Sequence, residues 1–241
     1  KFHSQGNISE AAKLYQYFIN QGFKDHRVFS NYGVILNDLG NLNEAELSYR
    51  KAIEIKPDYA AAYSNLGGIL KDLGNLEDAE LSTRKAIKIQ PDLADAHFNL
   101  GAILNDLGNL QECLDTYLKV IEINPTYPNI YSRITELLRD SDPSQLNQSK
   151  LKQILNLLLY ENNISHNELF KTFNFSYRNE IIKNLQNLDS DFSQIELLIN
   201  NRVIINAFKK IIFKDPQLEK LLTHLRRNIC NKIAYKKDIN I

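Results

Sequence analysis

The sequence predicts an all-α fold, in which a right-handed solenoid of paired helices is followed by a second, all-helical domain. Residues 59–91 and 93–125 align without a gap at an offset of 34 residues, so that Gly67 matches Gly101. Within each copy the apolar residues recur every three or four positions, which is the period of a helix. Self-similarity at a fixed period of this size is the mark of stacked repeats. We therefore expect a solenoid rather than a globular core.

The repeat divides the first part of the chain into units. Residues 1–25 supply a partial unit, and residues 26–59, 60–93 and 94–127 supply three full units. Residues 128–140 keep part of the pattern, and we interpret them as a helix that caps the last open core face, because terminal repeats of solenoids are atypical. The predicted domains are therefore residues 1–140 and 141–241. Because the sequence starts inside a repeat and contains no Met, we expect the natural chain to begin upstream.

Each unit is predicted to be a helix–turn–helix. In the second unit Tyr63, Leu66 and Leu70 fall on one face of a helix. Gly74 then ends that helix, because glycine accepts the left-handed conformation that helix ends favour. A second helix is expected from about residue 77 to residue 89, and Pro91 closes the unit.

These positions carry a family resemblance. The order of aromatic, leucine, glycine, alanine and proline positions over 34 residues resembles the tetratricopeptide repeat, and in the first full unit it consists of Phe29, Tyr32, Gly33, Leu36, Ala45, Tyr49, Ala52 and Pro57. Three positions depart from it, at Thr83, Cys113 and Val120. The sequence of these repeats is most similar to that of the repeats ahead of the catalytic domain in O-linked N-acetylglucosamine transferases, and to that of many bacterial tetratricopeptide proteins. The sequence contains no glycosyltransferase domain.

Helical patterns continue after residue 141 without the repeat. Amphipathic segments are predicted at residues 150–160, 177–188, 192–200, 202–213 and 217–235. Ser165 and Glu168 have the spacing of a capping box, and Asp215 with Pro216 is typical of a helix start. Residues 168–170 and 218–227 resemble the helical segment that joins tetratricopeptide repeats to a methyltransferase-like domain in some bacterial proteins. That resemblance implies a catalytic domain beyond Ile241.

Composition narrows the classes of function. No apolar run is long enough to span a membrane, and two distant cysteines, Cys113 and Cys230, fit a reducing compartment, so we expect a cytoplasmic protein. The histidines and cysteines show no metal-ligand spacing, and no phosphate-binding loop is present, so neither a cofactor nor catalysis by this chain is expected. Ten basic residues between 202 and 237 could contact nucleic acid, but a solvated helix face is favoured.

The predicted binding surface is a groove along the first helices of the units. Asn31, Asn65 and Asn99 recur every 34 residues, nearly opposite the core side of their helices. A side-chain amide both donates and accepts, so it can pair with a peptide backbone. A parallel acidic row would favour ligands with Lys, Arg or amide donors, and the sequence places three basic residues on the groove, Arg27, Lys71 and Arg133. The full set of predicted binding residues is Arg27, Asn31, Asp38, Asn65, Asp72, Asn99, Asp106 and Arg133. The competing interpretation is that duplication copied residues without a role.

The sequence thus predicts a non-catalytic scaffold that binds a protein or an extended peptide in this groove. The alternative is a substrate-recruiting arm of a methyltransferase or glycosyltransferase whose catalytic domain lies beyond Ile241.

Overall fold

The all-α class is confirmed by the computed structural model, which describes residues 8–161, 164–186, 200–211, 215–220 and 223. These residues form helices and connecting loops, and no strand occurs among them. The chain divides into two compact units, residues 1–130 and 131–241. The domain boundary predicted at residue 140 stays a prediction.

The first unit consists of consecutive helices joined by short loops. Helix α1 precedes three helix pairs, and each pair falls within one full unit of the sequence repeat. The bounds are Ile8–Asn20 for α1, His26–Asp38 and Leu42–Ile55 for α2 and α3, Ala60–Asp72 and Leu76–Ile89 for α4 and α5, and Ala94–Asp106 and Leu110–Ile123 for α6 and α7.

Glycine makes the tight turn inside each pair. Gly40, Gly74 and Gly108 have φ angles of 77°, 82° and 77°, in the left-handed region that L side chains rarely adopt. The Gly74 amide donates to the Lys71 carbonyl at 2.9 Å, which satisfies one of the carbonyls left open at the end of α4. The sequence prediction of a glycine-terminated first helix is therefore confirmed.

Small residues let the two helices of a pair cross closely. A Cβ atom on Gly33 would lie 2.8 Å from the Tyr49 ring, and Ala45, Ala79 and Cys113 are completely buried at the equivalent contacts of the three pairs. Such a contact leaves no room for a methyl group. The repeated glycine and alanine positions therefore fix the spacing within each pair.

The helices of the first unit form two layers. Helix α4 packs closely against both α2 and α6, so the first helices of the pairs make a continuous inner layer. Helices α3, α5 and α7 each contact the first helix of their own pair, and α3 and α5 also contact that of the next pair, but they make no close backbone packing with one another. These second helices form a more open outer layer. The inner layer is the surface on which the groove was predicted.

The second unit is a separate group of helices. It includes α8 (Ile130–Asp140) from Tyr131 onward, α9 (Gln148–Leu158), α10 (Phe170–Gln186) and α11 (Arg202–Lys210), with 3₁₀ turns at Pro143–Gln145 and His166–Leu169. Asn147 caps the start of α9, because its side chain accepts from the Ser149 and Lys150 amides. The core of the second unit contains Leu151, Ile154, Leu155, Leu158, Phe173 and Ile181.

Two sequence predictions about helix starts had different outcomes. Asp215 accepts hydrogen bonds from the Gln217 and Leu218 amides at 3.0 and 3.1 Å, so its predicted role as a helix start is confirmed. The capping box at Ser165 is wrong, because its side chain makes no capping hydrogen bond and Glu168 instead pairs with Arg139 at 3.4 Å. The predicted helix at 192–200 lies outside the described residues apart from Asn200, as does most of 217–235.

Two kinds of feature do not occur among the described residues. None of their helices is both long and apolar enough to cross a membrane. The same part of the chain contains no group of three or more His, Cys, Asp and Glu side chains that could hold a metal ion.

Candidate groove of the inner layer

The three asparagines of the predicted groove are not equivalent. Asn31 on α2 is exposed, whereas Asn65 on α4 and Asn99 on α6 are half-buried. The Asn99 amide nitrogen donates to the Ser64 carbonyl at 3.1 Å and lies 3.2 Å from the Ser64 hydroxyl, so it ties α6 to α4. Asn65 donates a hydrogen bond to the Tyr49 hydroxyl on α3.

Asn65 and Asn99, which the sequence places nearly opposite the core side of their helices, therefore also make contacts with other helices. A helical wheel of α4 identifies the side that faces α5, the second helix of the same pair. It gives no information about contacts with the preceding pair, α2 and α3. Asn65 and Asn99 each contact the pair that precedes their own. The amide oxygen of Asn99 accepts no hydrogen bond within the described part of the chain, so this oxygen is the group that remains for a ligand.

Tyr49 links the groove to the core. Burial raises the pKa of its hydroxyl, the negative charge of Asp38 raises it further, and the hydrogen bond from Asn65 lowers it. The hydroxyl is therefore neutral at physiological pH. Asp38, Tyr49 and Asn65 come from three successive helices, so the structure does bring two of the predicted groove residues into one neighbourhood.

The acidic row lies at the ends of the inner helices. Asp38, Asp72 and Asp106 are the last residues of α2, α4 and α6, and all three are exposed. The Lys71 ammonium lies 2.9 Å from the Asp72 carboxylate and 4.0 Å from the Asp106 carboxylate.

Lys71 is the third basic residue that the sequence places on the groove, at the position that Asn37 and Asn105 occupy in the other units. It joins the acidic groups of two adjacent pairs.

Arg27 has a local role at the start of α2. Its guanidinium binds the Asp25 carboxylate at 2.6 Å, and this hydrogen bond holds the pKa of Asp25 down at about 2. Arg27 and Asp38 lie near opposite ends of α2, which places them roughly 16 Å apart along the helix axis. The structure therefore separates Arg27 from the acidic row.

Arg133 belongs to the second unit, where it pairs with Glu136 at 3.1 Å. Its position at the end of the groove stays a prediction.

Small side chains line the groove between the asparagines and the acidic row. Val34, Gly68 and Ala102 are half-buried at equivalent positions of α2, α4 and α6. A Cβ atom at Gly68 would find only the Asn99 amide nitrogen near it, at 3.8 Å. The inner layer therefore has room for a ligand beside Asn99.

Repeated helix pairs, close glycine crossings and two layers define the first unit as an α-α solenoid. Sequence models of the tetratricopeptide repeat match residues 33–74, 67–108 and 94–127. Residues 33–127 of this chain are therefore tetratricopeptide repeats, as the sequence predicted. No curated protein matches the chain.

Solved structures of low sequence identity share the fold. YrrB, described as a tetratricopeptide protein with an unusual peptide-binding site, aligns with a TM-score of 0.57 and 19% identity over 82% of this chain and 99% of its own. MamA aligns with a TM-score of 0.55 and 22% identity over 64% and 88%. MamA from Desulfovibrio magneticus RS-1 gives 0.54 and 16% over 65% and 88%.

These comparisons concern the repeat and the fold alone. The similarity to transferase repeats, a catalytic domain beyond Ile241 and a cytoplasmic location stay predictions.

Proposed function

We propose that this protein is an interaction scaffold that binds an extended, basic segment of a partner protein along the inner layer. An extended strand rises roughly 3.3 Å per residue and packed helices lie roughly 8–10 Å apart. About every third ligand residue would then meet a new helix of the layer. The exposed amide of Asn31 and the oxygen of Asn99 are the groups that can pair with the ligand backbone.

The acidic row is the observation that carries the proposal. Each of the three aspartates ends a helix, where the helix dipole disfavours an acid by about 0.3–1 kcal/mol. This arrangement lowers the stability of the unliganded chain, and a bound cation would offset that cost. Lys71 shows the chemistry that these carboxylates accept, because its ammonium lies between two of them.

A peptide is the first ligand class to test. The structural neighbour YrrB is described as having a peptide-binding site, although the low identity transfers the fold alone to this chain. A twelve-residue random peptide library displayed on phage is selected against the full chain. We expect the selected peptides to be rich in Lys and Arg, with affinities that fall as salt is raised, because exposed charge pairs are screened.

Variants then locate the site. The double change Asp72→Asn and Asp106→Asn should weaken the selected peptides about tenfold, as the loss of two exposed charge contacts predicts. Gly68→Gln should block the floor beside Asn99 while leaving the thermal midpoint unchanged or higher, because it removes a glycine from a helix interior. Leu81→Gln, at an exposed position of α5, is the matched control.

Equal affinity of Gly68→Gln and Leu81→Gln for every selected peptide would refute the inner layer as the binding surface. Selected peptides without basic residues would refute the role of the acidic row.

A further inference from the structure

A second depression lies in the outer layer, away from the groove. Its volume is about 450 Å³, and it forms where α5, α6 and α7 meet. Ile87 and Leu100 contribute apolar surface, and Arg84, Lys88 and Lys119 contribute positive charge. The volume falls within the range of roughly 300–1,000 Å³ that is usual for ligand-binding clefts.

The layer arrangement explains why this space exists. Helices α4 and α6 pack closely in the inner layer, whereas α5 and α7 make no close backbone packing with each other. A cleft therefore lies between α5 and α7 with α6 beneath it. The Arg84 guanidinium crosses the cleft, because it binds Glu80 on its own helix at 2.7 Å and Glu112 on α7 at 2.6 Å.

The carboxylates of the cleft have hydrogen-bond partners, whereas its two lysines are less fully paired. The two carboxylates beside it are engaged, since Glu112 accepts from Arg84 and Asp115 accepts from Gln111 at 3.1 Å. Lys88 makes no ion pair among the residues that the structure describes. Lys119 pairs with Glu122 one turn along its own helix, and half of its side chain is exposed.

The preceding junction, between the first and second full units, carries different residues at two of these repeat positions. Glu54 occupies the position of Lys88, and Tyr63 occupies the position of His97. The smaller imidazole is held to one side by its Nε2 atom, which donates to the Pro91 carbonyl at 2.8 Å. The chain thus contains its own version of this junction with a larger ring and the opposite charge.

We propose that this cleft is a docking site for an acidic segment of a partner protein, in which one leucine-sized side chain is flanked by carboxylates. The apolar side chain would contact Ile87 and Leu100, and the carboxylates would reach Lys88 and Lys119. The site lies beyond the groove of the inner layer and prefers the opposite charge. One scaffold could therefore hold a basic segment on its inner layer and an acidic segment on its outer layer.

The test is an NMR titration of the full, ¹⁵N-labelled chain with three synthetic peptides, GEELEEG, GEEGEEG and GKKLKKG. A single apolar side chain with exposed charge contacts gives a weak complex, so we expect a Kd of about 0.1–1 mM for the first peptide. The amide shifts should change around Ile87, Leu100 and Thr116. The other two peptides should bind at least about fivefold more weakly, because each lacks one of the two contacts.

Four variants separate this site from other surfaces. Lys88→Glu should weaken the first peptide about three- to tenfold, and His97→Tyr at least about fivefold. Both changes copy residues of the preceding junction, so the fold should tolerate them. Lys85→Glu makes the same charge change on α5 outside the cleft, and Gly68→Gln blocks the inner layer. Both should leave the affinity for the first peptide unchanged. The test of the cleft is therefore independent of whether the inner-layer groove binds a peptide.

Equal effects of Lys88→Glu and Lys85→Glu would overturn the proposal. Equal binding of the peptide without leucine, or shift changes confined to residues outside α5, α6 and α7, would also overturn it.

Discussion

Two adjacent glycines of α4 have opposite surroundings. A Cβ atom at Gly67 would overlap the Thr83 side chain and approach the Ala79 carbonyl, whereas the nearest atom to such a Cβ at Gly68 is 3.8 Å away. Gly67→Ala should destabilise the protein by about 1–3 kcal/mol, because overpacking a close helix contact forces the backbone apart. Gly68→Ala should stabilise it by about 0.5–1 kcal/mol, because alanine is the better helix former.

Urea unfolding of the full chain, followed by circular dichroism at 222 nm, measures both glycine variants. Each serves as the control for the other, since they make the same chemical change one residue apart. Equal effects of the two substitutions would contradict the close crossing of α4 and α5.

Cys113 is expected to be inert in the folded protein. Its side chain is completely buried, and burial raises the pKa of the thiol to about 12. At pH 8 only about one molecule in 10⁴ would then carry the reactive thiolate. In a Cys230→Ser background, Ellman's reagent should modify Cys113 at least about a hundredfold more slowly in native buffer than in urea.

Rapid modification of Cys113 in native buffer would show that the α6–α7 crossing opens readily.

Cys113→Ala restores the residue of the other two units and should change the free energy of unfolding by less than about 1.5 kcal/mol, because both are small residues.

At the scale of single elements, the sequence predicted the glycine that ends the first helix of each pair, but not the start of α10 at Phe170 or the roles of the asparagines. Helix starts and ends depend on local chemistry, such as the left-handed turn at Gly74. The contacts of Asn65 and Asn99 depend on where the preceding pair lies, and that placement is set by packing between units. The apolar period identifies a core side, but it does not rank the remaining positions by their contacts with the preceding pair.

The segment between α9 and α10 contains a histidine, His166, whose protonation affects stability. The His166 imidazole lies 3.4 Å from the Lys210 ammonium of α11. Burial and the positive charge of Lys210 lower the pKa of His166 below its ordinary value of 6.5. Between that lowered pKa and about 6.5 the unfolded chain binds more protons than the folded chain, so stability falls as the pH falls through this window.

Hydrogen exchange of α10, measured by mass spectrometry at about pH 7.5 and pH 5.5, reports this stability after correction for the intrinsic exchange rate. We expect less protection at the lower pH, and we expect His166→Gln to lose part of that difference because glutamine does not titrate. An identical pH dependence in the two proteins would exclude His166 as its source.

At the scale of the whole molecule, the last helix pair of the repeat array differs from the earlier pairs. Leu114 of α7 is completely buried, whereas Glu46 and Glu80 occupy its position in the two preceding units. An apolar residue in place of a repeated acid indicates that the last pair has a covered surface that the earlier pairs lack. The sequence predicts that residues 128–140 provide this cover, because the terminal element of a solenoid must shield the last core face.

Two fragments test the end of the array. If residues 128–140 are the cap, fragment 1–140 should be more stable than fragment 1–130 by about 2 kcal/mol or more, which at this size is a Tm difference of roughly 5–10 °C. In fragment 1–140, Ile134→Asp should remove most of that difference, because Ile134 is buried in α8. Arg133→Ala, an exposed change one residue away, should not. Equal melting of the two fragments would mean that α8 contributes to the stability of the second unit alone, and that the repeats end at α7.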